Sequence, residues 1–205
     1  MIINSLAHGF SLALGLILPL GAQNTFIINQ GASHQRYLRV MPAVITAGLC
    51  DTFLIILATT GVSKVVLLYP PIKIIMFVGA ILFLAYLGWN MWKAQPNQEQ
   101  NKIDNQYSIK FQVITATTLS LLNPHAIADT VATIGTSALA YDDLQQRFYF
   151  ILACIVVSWI WFFTLSIFGK MLSKNKIYSI YQNKVSALMI WSSCVIILYS
   201  LVSLS

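Results

Sequence analysis

Residues 148–168 read FYFILACIVVSWIWFFTLSIF and contain no charged side chain. A helix needs about 20 mostly apolar residues to cross the hydrocarbon core of a bilayer. A strand of a membrane barrel alternates apolar and polar residues over about ten positions, whereas this stretch is apolar on all sides. The segment therefore predicts a transmembrane helix.

Five further apolar windows lie along the chain, at 5–28, 40–62, 74–92, 111–139 and 185–204. The composition agrees, because 58% of the residues are hydrophobic and 9% are charged, against about 25% charged in a soluble domain. The first window follows no basic n-region, so we expect a retained helix and not a signal peptide. We predict an all-α membrane protein with six transmembrane helices, surrounded by lipid bilayer.

Basic residues are distributed unevenly over the loops between these windows. The first, third and fifth loops carry Arg36, Arg39, Lys93, Lys102, Lys110, Lys170, Lys174, Lys176 and Lys184. The second and fourth loops carry Lys64, Lys73 and Arg147. Because basic loops stay cytoplasmic, the odd loops are predicted to face the cytoplasm and both termini the outside. The basic residues are too few and too scattered for a nucleic-acid interface.

The longest loop, 94–110, is polar and divides one transporter domain, 1–205, into halves 1–93 and 111–205. We interpret the loop as a flexible cytoplasmic linker. Three helices per half place the halves in opposite orientations, which is the inverted-repeat plan of many secondary transporters. A weak internal match supports the plan, because LGAQN at 20–24 and LNPHA at 122–126 are offset by 102 residues.

The fourth window is interrupted by Asn123-Pro124. Proline has no amide hydrogen, so it frees the carbonyl of Ser120 from the helix. Asn before Pro is also typical of an N-cap followed by a first helical position. This predicts a discontinuous helix whose positive dipole end suits a carboxylate. The alternative is a simple proline kink.

The first window holds a similar interruption, PLGAQN at 19–24. Pro19 breaks the helix ladder, and Gly21 permits a close backbone approach or an unusual turn. The amides of Gln23 and Asn24 are able to bind both backbone and ligand. The alternative is hydrogen bonding between neighbouring helices. We predict a second discontinuous helix here.

Two acidic residues lie inside apolar windows, Asp51 in the second and Asp129 in the fourth. A carboxylate in hydrocarbon is costly and requires a partner or a wet cavity. His125 and Asp129 are four residues apart and share a helix face, so the pair could relay protons or bind a cation. The alternatives are a buried acid that holds the bundle together and a mutually satisfied His–Asp pair.

Signatures of an enzyme or a metal site are not found in the sequence. The cysteines Cys50, Cys154 and Cys194 lie far apart inside apolar runs, so no metal is predicted. Neither His-Glu-x-x-His nor Gly-x-Ser-x-Gly occurs, and both aspartates lack the Gly-x-Gly-Asp setting of an intramembrane protease. We predict no catalytic residue, no cofactor and no enzymatic activity.

Three patches occur together in an order and spacing that resemble the LysE/ArgO family of bacterial basic amino-acid exporters. They are PLGAQN at 19–24 with Gln30-Gly31, Cys50-Asp51 with Gly61, and LNPH at 122–125 with Asp129-Thr130. The chain departs from the family in one place, because the family has Gly-Pro-Gln-Asn where this chain has Gly21-Ala22-Gln23-Asn24. The missing proline would preset the first position of a half-helix, and Pro19 partly substitutes for it.

The resemblance implies a secondary transporter that exports arginine or lysine across the bacterial inner membrane, coupled to proton antiport or to the membrane potential. The implied substrate-binding residues are Gln23, Asn24, Asp51, Asn123, His125 and Asp129, and the implied helix breaks are at Pro19, Gly21 and Pro124. Three alternatives stay open: an exporter of neutral amino acids, an exporter of metal cations, and a non-transporting scaffold. The oligomeric state, monomer or homodimer, is also open.

Overall fold

The computed structural model describes residues 2–34, 36–60, 70–93, 108–174 and 176–202, and all regular elements in these ranges are helical. The helices are α1 (Ile2–Ile17), α2 (Ala22–Ser33), α3 (Met41–Thr59), α4 (Pro70–Lys93), α5 (Ile109–Leu121), α6 (Pro124–Asp129), α7 (Thr136–Leu139), α8 (Leu144–Leu172) and α9 (Lys176–Val202). A π-helical turn, Thr130–Gly135, joins α6 to α7. Most of the predicted linker, 94–107, lies outside the described residues.

Two helices in the described ranges, α3 and α8, are each long and apolar enough to cross a bilayer. The pair α1–α2 meets the same criterion when taken as one span, although it is bent by 80°. At about 1.5 Å per residue, neither member alone reaches across the ~30 Å hydrocarbon core. Helices α4 and α9 occupy two of the remaining three predicted windows, and α5, α6, the π turn and α7 occupy the third, 111–139. The described part of the chain is thus all-helical and has the apolar helices of a membrane protein.

The first helix break forms without the proline that the related family carries. Helix α1 ends at Ile17, two residues before Pro19, and α2 begins at Ala22 after an extended Gly21. The backbone angles of Gly21, φ −78° and ψ −177°, are open to any residue, and no atom lies within 4 Å of its missing Cβ. The prediction that Gly21 serves a close backbone approach or an unusual turn is therefore wrong.

The second break follows the Asn-Pro signal. Helix α5 ends at Leu121 and α6 begins at Pro124. The amide of Ala126 donates to Oδ1 of Asn123 at 3.4 Å, so the predicted N-cap is confirmed. The π turn comes next, and the hydroxyl of Thr133 donates to the carbonyl of Asp129. Such wide turns are frequent at functional sites.

Helix α8 lies at the centre of the bundle and contacts α1, α2 and α3, while α3 also contacts α5 and the π turn. Helices α4 and α9 pair with each other. Glycine permits the closest approach, between α2 and α8: a Cβ on Gly31 would lie 2.1 Å from the carbonyl oxygen of Ser166, and one on Gly169 would lie 2.0 Å from that of Ile28. Small residues allow helix backbones to meet in this way, which fixes α2 against the central helix.

Candidate functional site

A cavity of about 360 Å³ lies between the two helix breaks. Pockets that bind small molecules measure roughly 300–1,000 Å³. The end of α1, the first break, the start of α2, and parts of α3, α6, α8 and α9 form its walls. The polar residues that line it are Gln23, Asn24, Asp51, Asn123, Asp129, Thr130, Ser158, Ser192 and Ser193.

Most of the residues predicted from the sequence meet at this cavity. Gln23, Asn24, Asp51, Asn123 and Asp129 all line it, together with the break residues Pro19 and Gly21. The break residue Pro124 begins α6. The side chain of His125 lies outside the described part of the structure, so its pairing with Asp129 stays a prediction. The cavity thus unites predicted residues that lie up to 110 positions apart in the chain.

The side chain of Asn24 bridges the first break. Its Nδ2 donates to the carbonyl oxygens of Ile17 at 2.8 Å and Pro19 at 2.9 Å. These carbonyls lie at the end of α1 and in the break, where no amide of a helix bonds to them. Asn24 is 6% exposed, so both of its N–H donors are committed to holding the break. Only its Oδ1 is left for a ligand, which makes Asn24 first of all a positioning residue.

Gln23 supplies the donor end of the cavity. Its Nε2 is buried and has no hydrogen-bond partner among the described residues. The first backbone amides of α2 have no acceptor within the helix, and the first turn carries the positive end of the helix dipole. An amide donor and a helix N-terminus on one wall form a suitable environment for a carboxylate.

Asp51 lies on α3 and is hydrogen-bonded to Ser158 on α8. The two helices are also joined at the next residue of each, because Nε1 of Trp159 donates to Oγ1 of Thr52 at 3.1 Å. The ring of Trp159 fills the space beside Gly48, where a Cβ would come within 2.9 Å. The local packing therefore holds Asp51 at the cavity wall beside a hydroxyl group.

Asp129 reaches the same cavity from the opposite half of the chain. It is the last residue of α6 and directly precedes the π turn. Two carboxyl groups thus share the space, and the lining residues in the described part of the chain include no Lys, Arg or His. These acidic groups form a suitable environment for a cation. The described residues contain no group of three His, Cys, Asp or Glu side chains that could hold a metal ion.

Four lining residues were missed by the sequence analysis: Ser158 and Phe162 on α8, and Ser192 and Ser193 on α9. A serine in an apolar helix is a weak signal, because its hydroxyl readily bonds to the helix backbone on any face. Thr164, for example, donates to the carbonyl of Ile160 at 2.7 Å on an exposed face. The adjacent pair Ser192-Ser193 in an apolar run was the one usable signal.

The molecule is closed beyond the cavity, towards the end of α2. Phe26, Ile27, Asn29 and Gln30 have no exposed surface. Next to them, Nε2 of His34 lies 3.3 Å from Oε1 of Gln30 and 3.2 Å from Nε2 of Gln112. Among the described residues, this buried polar cluster closes the end of the bundle beyond the cavity.

His34 lies just after α2 and is 9% exposed. Burial, together with the smaller effects of the nearby charges of Arg39 and Lys170, lowers its pKa from an ordinary value of 6.5 to about 4. Lys170 also donates to the carbonyl of His34 at 3.3 Å. At neutral pH the sealed end of the bundle therefore holds an uncharged imidazole.

Residues 14–202 match the family described as LysE type translocator. The chain is 46% identical over 193 residues to "Putative amino-acid transporter YisU" of Bacillus subtilis, covering 93% of this chain and 87% of the relative. It is 33% identical over 182 residues to "Arginine exporter protein ArgO" of Photorhabdus laumondii, covering 84% of each. The relative of the same name in Shigella flexneri is 28% identical over 169 residues, 81% of this chain and 78% of the relative. No solved structure shows significant similarity to the chain. The chain therefore belongs to the LysE family of translocators.

Proposed function

We propose that this protein exports basic L-amino acids, arginine and lysine, across the bacterial inner membrane. The observation that carries the proposal is the presence of two carboxyl groups, Asp51 and Asp129, on one cavity without a basic side chain among its described lining residues. Relatives of 28–33% identity are named arginine exporters. The direction of transport rests on those names.

The cavity offers complementary ends to an amino acid. The substrate α-carboxylate would bind at the start of α2, near Gln23 and the first backbone amides. The side-chain cation would bind at Asp51 and Asp129, and Asn24 and Asn123 would hold the two breaks around it. His125 follows Pro124 directly in the sequence, and we assign it to the carboxylate end as well.

Export of a cation from a cell with an inside-negative potential requires energy. Moving one positive charge outward against this potential costs about 2.3 kcal/mol per 100 mV. Arginine cannot lose its proton to cross uncharged. Exchange for an inward-moving proton would balance the charge. Asp51 and Asp129 would then bind the substrate cation or a proton alternately.

Alternating access would follow from two inverted halves of three spans each, 1–93 and 111–205, joined by the cytoplasmic linker. In support, the second half-helices begin at Ala22 and Pro124, 102 residues apart, the offset of the internal sequence match. The helix contacts also correspond when the two halves are interchanged. Helix α1 packs on α8 as α5 packs on α3, and α2 packs on α8 as the π turn packs on α3.

The basic loops orient this arrangement with both termini outside the cytoplasm. The buried cluster of Gln30, His34 and Gln112 would then close the cytoplasmic end. The cavity would face outward, in the state that follows release of the substrate.

Efflux of labelled arginine and lysine from loaded proteoliposomes, with and without an imposed proton gradient, tests the proposal. We expect efflux of both that accelerates when protons can enter, and its loss in Asp129→Asn protein that still reaches the membrane. Unchanged efflux in this variant would remove Asp129 from the site. Competition by neutral amino acids or by metal cations, with none from arginine, would support the other exporters of the family. Absence of transport together with a cavity inaccessible to water-soluble thiol reagents would support a scaffold.

A further inference from the structure

Three hydroxyl groups on the cavity wall have their hydrogens committed to the protein backbone. Ser192 and Ser193 donate to the carbonyl oxygen of Met189 at 2.7 and 3.1 Å. Thr130 donates to the carbonyl oxygen of Ala126 at 2.8 Å. A hydroxyl has one hydrogen and two lone pairs, so each of these groups presents an acceptor to the cavity.

Three other groups on the same wall are acceptors too. Asn24 donates both of its N–H groups to the carbonyls of Ile17 and Pro19. Because a carbonyl only accepts, the orientation of this amide is fixed and Oδ1 is its remaining group. The carboxylate forms of Asp51 and Asp129 accept hydrogen bonds only. The Oδ1 of Asn123 accepts from the amide of Ala126, so the lining combines these acceptors with amide donors at Gln23 and Asn123.

We propose that Ser192 and Ser193 of α9, together with Thr130, form an acceptor wall that selects a guanidinium group and makes arginine the preferred substrate over lysine. This inference rests on the proposed function. A guanidinium offers five N–H donors in a rigid plane, whereas an ammonium offers three from one point. A compact ammonium is satisfied by the carboxylates alone, whereas the outer donors of a guanidinium need the hydroxyl oxygens.

The test compares inhibition of labelled-arginine transport by unlabelled arginine, lysine and citrulline in proteoliposomes. Citrulline keeps N–H donors at the end of its side chain but carries no charge there. In the unmodified protein we expect arginine to bind more tightly than lysine, and citrulline to bind weakly because it brings no positive charge to the carboxylates. In a Ser192→Ala, Ser193→Ala double variant the affinity for arginine should fall about tenfold or more. The affinity for lysine should fall less than about threefold. Thr130→Val should act in the same direction.

Matched controls are Ser173→Ala and Thr164→Val, whose hydroxyls also donate to carbonyls of their own helix, at 2.8 and 2.7 Å, but do not line the cavity. They should leave both affinities unchanged. Thermal unfolding in detergent should be the same for all variants, because alanine and valine keep the helical backbone bonds. Equal losses for arginine and lysine, or no loss, would overturn the acceptor wall and leave the proposed function standing. Failure of the unmodified protein to transport either amino acid would overturn both.

Discussion

The side-chain amide of Asn24 donates to the carbonyl oxygen of Ile17, seven residues earlier, at 2.8 Å. This bond and its companion to Pro19 connect α2 to the end of α1 across a bend of 80°. The neighbouring residue Gln23 has a buried donor with no partner among the described residues. Two adjacent amides therefore differ in role: one holds the helix break, and the other is available to a ligand.

Asn24→Ala should destabilise the fold, and Gln23→Ala should not. The first change removes the side-chain donor from the carbonyl of Ile17 and one of two donors from that of Pro19, which also accepts from the amide of Gly21. We expect a loss of about 1–3 kcal/mol, so the melting temperature in detergent should fall. The second should leave the melting temperature unchanged and weaken arginine binding by about tenfold. A stable Asn24→Ala protein with weakened binding would show instead that both amides contact the substrate.

Gly31→Ala should prevent close packing of α2 on α8. The new methyl group would lie 2.1 Å from the carbonyl oxygen of Ser166, and relief requires movement of a backbone and not of a side chain. We expect a loss of about 3 kcal/mol or more, measured as lower thermal stability and yield.

Gly15→Ala is the matched control for this change, because no atom lies within 4 Å of its missing Cβ. Alanine is the better helix former by about 1 kcal/mol, so this variant should be as stable as the unmodified protein or more so. Equal stability of the Gly31 and Gly15 variants would contradict the close approach of the two helices.

Acidification should weaken the sealed end of the bundle through His34. Its pKa is lowered to about 4 in the folded protein from 6.5, so the unfolded chain binds the proton more readily. The contribution of the neutral imidazole to the free energy of unfolding is fully present above pH 6.5. It is lost as the pH falls from 6.5 towards 4. Between pH 7 and pH 5 this amounts to about 2 kcal/mol.

The measurement is the melting temperature in detergent across this pH range, with His34→Gln as the comparison. Glutamine carries no titratable group, so the melting temperature of this variant should fall less steeply with decreasing pH. The difference between the two slopes is the contribution of His34. The same slope in both proteins would assign the dependence to other groups.

Asp51→Asn should separate substrate exchange from coupling to protons. Asparagine keeps a hydrogen bond to Ser158 but cannot carry a proton. We expect exchange of arginine for arginine to continue at Asp129 with a weaker affinity for arginine, while acceleration by an inward proton gradient disappears. In Asp129→Asn, where the partner of the substrate cation is removed, both activities should be lost. Proton-accelerated efflux that persists in the Asp51 variant would exclude this residue as a proton carrier.

The elements of the fold and the positions of both helix breaks could be predicted from the sequence, because each depends on local chemistry. The apolar run at 148–168 forms α8, Pro19 lies in the first break, and Asn123-Pro124 starts α6. Local signals were less informative about Gly21, whose backbone proved ordinary.

Only the tertiary structure decided which faces of the helices meet. A helix that is apolar all round carries no sequence signal for the side that turns inward, since lipid and protein interior accept the same side chains. For this reason Asp51 and Asp129 could be recognised singly, but their shared cavity, the positioning role of Asn24 and the serines of α9 followed from packing. The composition and the prolines determine where the helices and their breaks lie in the sequence. The contacts between α2, α3, α8 and α9 bring the site residues together.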